Sequence, residues 1–329
     1  MRFIENYFIQ ILEGRRTPGS ILRFFSSIYH FCISLRAYLY RKNFLKSCKI
    51  EKAKVISVGN LWIGGVGKTP LVVKIVERLE QGKVALLLRG YRGKKKAKKP
   101  YALSLADKAW EVGDEPYLLK QKFPSASVWI CPKRILAAQE AAREGKTFLI
   151  MDDGFQHLAL RRDVNILVIN GKEDKALLLP AGGLREGKEA LTRADYLVFI
   201  GEEKPQWVKK YASKLVWMRK KMKLSLPKGK EIVLFCALGD NRSLFHLLEK
   251  QGFTIKEKFF KRDHEAFSLK EVEEMAKSFP CTPLVTTEKD FVKIPCKLNW
   301  DIPLFVATVD LEIEEGLEVW KKCMEKIGM

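Results

Sequence analysis

The chain has 329 residues, and 60 Lys and Arg against 39 Asp and Glu give it a formal net charge of +21. This length allows one large domain or two ordinary ones, and a hydrophobic fraction of 47% is sufficient for a core. The seven cysteines are scattered without a C-x-x-C pair, which argues against a disulfide framework or a zinc site. The positive charge favours polyanionic partners: nucleic acid, acidic lipid or phosphorylated substrates.

The first 50 residues form a basic, largely apolar segment. Residues 21–40 are mostly apolar or aromatic, and their polar members recur every three to four positions, at Arg23, Ser27, His30 and Ser34. This spacing predicts an amphipathic helix with a narrow polar stripe. Such a helix, with basic residues after it, suits the surface of an anionic membrane, and the alternative is a helix buried against the protein's own core. Arg23 and Arg36 interrupt the apolar run, which argues against a membrane-spanning segment.

The strongest motif follows a predicted strand at Val55–Val58. A glycine-rich turn comes next, and a helical pattern runs from Pro70 to Gln81. This order predicts a phosphate-binding loop, although the full motif has glycine where this chain has Trp62. Lys68 would contact the β- and γ-phosphates of ATP and Thr69 would ligate Mg²⁺. The residues predicted to surround the phosphates are Trp62, Ile63, Gly64, Gly65, Val66, Gly67, Lys68 and Thr69.

A second apolar strand, Phe148–Asp152, ends in two aspartates. Asp152 and Asp153 are interchangeable candidates for binding Mg²⁺ directly or through water. Gln156 and His157 follow and place polar groups close to the predicted metal. A strand that ends in aspartate is a weak signal alone, but it is stronger when it follows a Gly-Lys-Thr loop.

Strands and helices alternate along the whole chain, which predicts an α/β fold with a doubly wound, mostly parallel sheet of the P-loop NTPase type. A second, smaller α/β domain and an N-terminal amphipathic helical segment complete the predicted architecture. The predicted boundaries are 1–50 for the helical segment packed on the first domain, 51–215 for the kinase domain, 216–230 for a basic connection and 231–329 for the smaller domain. The last helix, predicted at Ile313–Ile327, is a candidate to return to the first domain.

Several motifs together resemble one family, the tetraacyldisaccharide 4′-kinases, which phosphorylate the lipid A precursor. They occur in the family's order between Val55 and Asp290 and cover most of the chain. The two most specific are Asn-Leu-x-x-Gly-Gly-x-Gly-Lys-Thr-Pro and Asp-Asp-Gly-Phe-Gln-His. The others are Arg89-Gly90-Tyr91, Gly113-Asp114-Glu115-Pro116, Leu179-Pro180-Ala181-Gly182 with Leu184-Arg185-Glu186, Asp263-His264 and Thr286-Thr287-Glu288-Lys289-Asp290.

The resemblance implies transfer of the ATP γ-phosphate to the 4′-hydroxyl of an acylated glucosamine disaccharide 1-phosphate, with ATP and Mg²⁺ as cofactors. It also implies a peripheral enzyme on the cytoplasmic face of the bacterial inner membrane, with an anionic membrane surface as partner. We expect neither a nucleic-acid partner nor an obligate protein partner. The alternative is a P-loop ATPase that acts as a switch at the membrane. A GTPase is disfavoured because the chain has no Asn-Lys-x-Asp guanine motif.

The resemblance also suggests roles for individual side chains. Asp114 is the first candidate to accept the proton of the sugar hydroxyl, and His264 would pair with it and tune its basicity. Glu186 is a further candidate for Mg²⁺. The residues expected to hold substrate or to neutralise transition-state charge are Arg134, Gln156, His157, Arg185 and Asp263.

Overall fold

The computed structural model of the protein describes residues 7–8, 10–11, 16–90, 93, 99–174, 176–237, 241–262, 265–294 and 303–329. The chain forms two compact units. The first comprises Met1–Val72, Ala142–Arg219 and Ile313–Met329, and the second comprises Val73–Ala141 and Lys220–Glu312. This division differs from the predicted boundaries, because residues 73–141 group with the second unit and not with the strand that precedes the phosphate loop.

The first unit is built on a parallel sheet with the strand order β8-β7-β6-β1-β5. The strands are β1 (Lys54–Asn60), β5 (Phe148–Asp152), β6 (Val164–Ile169), β7 (Tyr196–Ile200) and the first half of β8 (Leu215–Lys223). Their apolar runs are buried almost throughout, as expected for parallel strands covered on both faces. Because β1 lies between β5 and β6, the loop after β1 and the aspartate that ends β5 meet at one edge of the sheet.

Helices complete the first unit. They are α1 (Ser20–Arg41), the start of α2 (Lys68–Val76) and α9 (Leu317–Ile327). In α9, Trp320 is buried, and the Lys326 ammonium lies 2.6 Å from an Asp195 carboxylate oxygen. The Lys54 ammonium donates a hydrogen bond to the Lys326 carbonyl at 3.0 Å, which fixes the end of α9 beside β1.

The second unit contains two groups of strands. In one, β2 (Val84–Leu88) and β4 (Ser127–Ile130) are parallel and β3 (Tyr101–Ala102) is antiparallel to β4. In the other, the order is β10-β9-β11-β12 with parallel neighbours, from β9 (Glu231–Cys236), β10 (Thr254–Phe260), β11 (Leu284–Thr287) and β12 (Leu304–Glu315). The helices are α3 (Ala109–Val112), α4 (Asp114–Lys122), α5 (Arg134–Arg143, which ends in the first unit), α6 (Asn241–Lys250), α7 (Leu269–Ser278) and α8 (Glu288–Phe291). The predicted α/β class with a mostly parallel sheet is confirmed.

Two predicted helix boundaries are wrong. The helix predicted to run to Gln81 ends at Val76, because the amides of Arg78 and Leu79 bond carbonyls three residues back and tighten the last turn. The last helix begins at Leu317 and not at Ile313, because β12 continues to Glu315. Gly316 separates the two elements with φ +86°, and a Cβ there would lie 2.5 Å from the Leu215 carbonyl oxygen.

The predicted basic connection, 216–230, contains a strand. Most of β8 lies in it, and the buried side chains of β8 are Leu215, Val216, Met218 and Met222. Its cations are paired with carboxylates on β12: Arg219 with Glu314, Lys221 with Glu312 and Lys223 with Asp310. Residues 216–230 contain no Asp or Glu, and the carboxylates that pair with their cations lie about ninety residues later in the chain. The basic stretch is therefore the charged face of a strand.

Helix α1 turns its apolar side outward. The exposed apolar residues are Ile21, Phe24, Phe25, Ile28, Phe31, Leu35 and Tyr38, and Ser26 is the one buried residue between Ser20 and Arg41. The predicted alternative of a helix buried in the core does not hold for this helix. Among the described residues, no helix has both the length and the apolar character needed to cross a bilayer.

Candidate active site

The loop after β1 forms the first part of the site. Lys68 is the first residue of α2, and Gly67 before it has φ +94°, in the left-handed region that glycine adopts without strain. A Cβ on Gly67 would lie 2.8 Å from the Ile200 Cδ1 atom, so a larger residue there would also require the Ile200 side chain to move. The Ile63 amide bonds the Gly183 carbonyl at 2.9 Å, which ties the loop to the segment around Arg185.

Lys68 is held by two oxygen atoms in the first unit. Its ammonium donates to the Asn60 side-chain oxygen at 3.2 Å and lies 3.5 Å from an Asp153 carboxylate oxygen. Asn60 is the last residue of β1 and is fully buried, and its amide group also donates to the Trp62 carbonyl. The lysine is therefore oriented before any phosphate binds, which reduces the ordering cost of binding.

Thr69 and Asp152 supply the oxygen ligands that Mg²⁺ prefers. The Thr69 hydroxyl donates to an Asp152 carboxylate oxygen at 3.2 Å, and Asp152 is almost fully buried at the end of β5. No group of three His, Cys, Asp or Glu side chains suited to a metal ion occurs in the described parts of the chain. Mg²⁺ is commonly bound by one or two protein oxygens together with phosphates and water, and the Thr69 and Asp152 oxygen atoms are of this kind.

Asp153 is bound by two cations. One guanidinium nitrogen of Arg185 donates to both Asp153 carboxylate oxygens at 2.8 Å. Burial raises the pKa of the Asp153 carboxyl, but the charges of Lys68 and Arg185 outweigh burial and bring that pKa below its ordinary value. Asp153 also has φ +58°, a conformation that costs a non-glycine residue energy and is typical of functional sites. Asp152 and Asp153, interchangeable in the sequence, therefore have different surroundings.

Helix α1 contacts the segment that carries Arg185. The Tyr29 hydroxyl donates to the Arg185 carbonyl at 2.9 Å, and the Ser26 hydroxyl donates to the Leu178 carbonyl at 2.9 Å. The Arg36 guanidinium donates to the Gln156 carbonyl at 3.2 Å. The N-terminal helix therefore supports the backbone at two residues predicted for the site.

The remaining predicted residues of the first unit lie around this cluster. The Gln156 amide group donates to the Asn60 carbonyl at 2.9 Å, and the His157 carbonyl accepts a bond from Arg162. Glu186 is paired with Arg193 at 2.6 Å, so this carboxylate has a cationic partner next to the predicted metal ligands. Its predicted role at Mg²⁺ stays a prediction.

Two other predicted residues lie in the second unit. Asp114 is the first residue of α4, half-buried, and its carboxylate lies 4.0 Å from the Lys293 ammonium. Arg134 begins α5, is 6% exposed, and donates to the Pro132 carbonyl at 3.3 Å. Asp263 and His264 lie outside the described residues.

The sequence analysis missed three contributors to the site. Asn60 is the first residue of the Asn-Leu-x-x-Gly-Gly-x-Gly-Lys-Thr-Pro motif, but its contact with Lys68 was not predicted. Tyr29 contacts Arg185, which lies more than a hundred residues later in the chain. Arg193 contacts Glu186, which lies seven residues earlier. The helical position of Tyr29, three residues after Ser26 and so on the same face, is the one local signal that the sequence offered.

Comparison with known proteins decides the family. The family model described as LpxK, tetraacyldisaccharide-1-P 4′-kinase, matches residues 19–326. The chain belongs to the tetraacyldisaccharide 4′-kinase family. It is 31% identical to the tetraacyldisaccharide 4′-kinase of Halothermothrix orenii, with 96% of each chain covered. It is 35% identical to that of Aquifex aeolicus, with 89% of this chain and 95% of the relative covered. The family predicted from the motifs is confirmed.

A solved structure supports the same assignment for this 4′-kinase family member. The crystal structure of LpxK from Aquifex aeolicus in complex with ATP is 32% identical in sequence and superposes with a TM-score of 0.75. The match covers 93% of this chain and 98% of the solved chain. The nucleotide in that structure is ATP, which agrees with the cofactor predicted from the phosphate loop.

Proposed function

We propose that this protein transfers the γ-phosphate of ATP to the 4′-hydroxyl of a tetraacyldisaccharide 1-phosphate in lipid A biosynthesis. The observation that carries the proposal is the cluster of Lys68, Thr69, Asp152 and Asp153 at one sheet edge in a chain of this kinase family. The names of the relatives agree with the acceptor, and ATP in the solved relative agrees with the donor.

Positioning and charge neutralisation account for most catalysis of phosphoryl transfer. Lys68 is placed to neutralise charge on the β- and γ-phosphates, because Asn60 and Asp153 already hold its ammonium. Thr69 and Asp152 would hold Mg²⁺, which would supply positive charge to stabilise the transferring phosphoryl group. Arg185 fixes Asp153 and keeps its carboxylate directed toward Lys68.

The sugar hydroxyl must lose a proton as it attacks the phosphorus atom. We assign this proton to the Asp114 carboxylate, which stands at the start of α4. The predicted pairing of His264 with Asp114 stays a prediction, and so do the substrate roles of Arg134 and Asp263.

The direct test measures transfer of labelled γ-phosphate from ATP and Mg²⁺ to tetraacyldisaccharide 1-phosphate in detergent micelles. We expect a product labelled at the 4′-position and ATP consumption that requires the lipid. Equal ATP hydrolysis with and without lipid, without labelled lipid, would instead support the ATPase switch.

We also propose that the outer face of α1 associates with the membrane at which the lipid substrate resides. Its phenylalanines at 24 and 31 are 64% and 67% exposed, and basic residues follow the helix. Each buried phenylalanine contributes about 1.5–3 kcal/mol, and the cations attract anionic lipid. The proposal implies a peripheral position on the cytoplasmic face of the membrane, where ATP is available.

Replacing Phe24 and Phe31 with asparagine is expected to weaken binding to vesicles of phosphatidylcholine and phosphatidylglycerol by at least about tenfold, because two apolar anchors are lost. The apparent KM for micellar substrate should rise by a similar factor while kcat changes little. Vesicle flotation and initial rates measure the two effects.

The matched control is Ser27→Asn, an exposed polar position on the same helix. Point variants are preferable to deletion of the helix, because deletion also removes the hydrogen bonds that Tyr29 and Arg36 make to the site. Unchanged vesicle binding in the double variant would contradict the membrane proposal.

A further inference from the structure

A buried lysine in the second unit has no role in the chemistry described above. The Lys293 side chain is 4% exposed, and its ammonium lies 2.7 Å from an Asp290 carboxylate oxygen. It also donates to the Glu265 carbonyl at 2.9 Å and lies 4.0 Å from an Asp114 carboxylate oxygen. A buried ammonium is costly unless it is paired, so its contact with two carboxylates calls for a reason.

The Asp290 carboxylate is fixed by its own surroundings. Its side chain is 1% exposed, and one carboxylate oxygen accepts from the Thr287 hydroxyl at 2.7 Å and from the Ala237 amide at 3.1 Å. Thr287 is also the N-cap of α8 and accepts from the Asp290 amide at 3.2 Å. Asp290 therefore ties α8 to the end of β9 and gives Lys293 a rigid anionic partner.

A second ion pair joins α4 to α8. Lys122 at the end of α4 lies 2.9 Å from Glu288 at the start of α8, and both side chains are more than a quarter exposed. Solvent screens this pair, so we expect it to contribute little to stability or to the orientation of α4. The contact between Lys293 and Asp114 lies at the other end of α4, and both side chains are largely buried. Burial strengthens the electrostatic interaction between them.

We propose that Lys293 is a positioning residue for phosphoryl transfer, which it serves by orienting the Asp114 carboxylate. This inference rests on the proposed role of Asp114 as proton acceptor. When the 4′-hydroxyl gives its proton to Asp114, that carboxylate becomes neutral and the sugar oxygen forms a bond to the γ-phosphorus of ATP. The bond between that phosphorus and the bridging oxygen of the β-phosphate breaks, and ADP leaves with the electron pair. Asp290 keeps Lys293 paired at that moment, so proton transfer leaves no unpaired buried cation. In this proposal Lys293 contacts two carboxylates because Asp290 balances its charge and Asp114 is the group that it orients.

The test compares variants of the full-length protein by kcat, KM for both substrates and melting temperature. The Lys293→Met variant is expected to have a kcat at least tenfold lower than wild type and an unchanged KM for ATP. The Lys293→Arg variant should keep most of the wild-type kcat. Lys122→Met, which removes the exposed pair between the same helices, should keep kcat within about twofold.

Lys293→Met alone leaves Asp290 buried without its cation, and the variant risks misfolding for that reason. The double variant Lys293→Met with Asp290→Asn removes both charges and should restore the melting temperature but not kcat. Recovery of wild-type kcat in the double variant would mean that Lys293 only balances Asp290, and the proposal would be overturned.

A final comparison separates this inference from the proposed function. In an Asp114→Asn background, Lys293→Met should cause no further loss of kcat, because the lysine acts through that carboxylate. A full tenfold loss in this background would overturn the role of Lys293. Wild-type turnover of Asp114→Asn would instead reject Asp114 as the proton acceptor, and labelled lipid from the wild-type protein tests the kinase activity independently of both.

Discussion

Replacing Lys68 with alanine is expected to reduce kcat about a hundred- to a thousandfold. Removal of one oriented hydrogen-bond donor that faces developing negative charge costs about 2.7–4 kcal/mol of transition-state stabilisation. The structure shows this ammonium oriented in advance by Asn60 at 3.2 Å and Asp153 at 3.5 Å. Labelled-phosphate transfer to the lipid measures the loss, and titration with a fluorescent ATP analogue measures nucleotide binding.

The fold should survive this substitution. Asp153 keeps its two hydrogen bonds from Arg185 at 2.8 Å, so no buried carboxylate is left without a cation. The melting temperature should therefore change by no more than a few degrees.

The matched control is Lys74→Ala, which removes a lysine from the same helix. Lys74 lies 3.8 Å from Asp310 and takes no part in the phosphate cluster. A kcat within about twofold of wild type is expected for this variant. Full activity of Lys68→Ala would reject the phosphate role of the loop, whatever the control shows.

The sequence predicted the nucleotide half of the site because local patterns encode it. The strands β1, β5, β6 and β7 are largely apolar runs, and the predicted bounds of β1 and β5 agree with the structure to within two residues. The phosphate loop and the aspartates follow directly from two of these strands. In a parallel sheet the carboxyl ends of neighbouring strands share an edge, so sequence order alone brings Lys68, Thr69 and Asp152 together.

Contacts between distant segments were not predictable in the same way. The carbonyl of Arg185 is held by Tyr29, 156 residues earlier, and no local pattern specifies that pair. The polar stripe of α1 was identified, and its member His30 lies 3.1 Å from a Glu189 carboxylate oxygen. Ser26 and Tyr29, which lie outside that stripe, also contact the protein. Hydrogen bonds to backbone carbonyls dock this helix, and hydropathy patterns do not register them.

In the segment Thr286–Asp290, the local sequence indicates a helix cap but not the buried ion pair that the structure shows. A threonine followed three residues later by a carboxylate is a helix-capping pattern, and Thr287 does cap α8. The buried carboxylate of Asp290 and its pairing with Lys293 depend on the end of β9, which supplies the Ala237 amide. Burial of a charged pair is a tertiary property, so composition and spacing could not distinguish Lys293 from the many exposed lysines.

Replacing Asp114 with asparagine is expected to lower kcat at least about a hundredfold, a loss near 2.7 kcal/mol. Asparagine keeps the shape of the side chain but cannot accept the hydroxyl proton. ATP binding should stay close to wild type, because the residues proposed to contact the phosphates are Lys68, Thr69 and the loop amides. Single-turnover transfer of labelled phosphate at saturating ATP isolates the chemical step.

Glu115→Gln provides the matched control for the helix itself. Both carboxylates stand in the first turn of α4, where each stabilises the positive end of the helix by about 0.3–1 kcal/mol. The two variants therefore lose similar helix stability, but Glu115 is exposed and only Asp114 lies beside Lys293. If the two variants have equal kcat, Asp114 contributes charge to the helix and does not accept the proton. A hundredfold difference between them assigns the loss to the chemistry of one carboxylate.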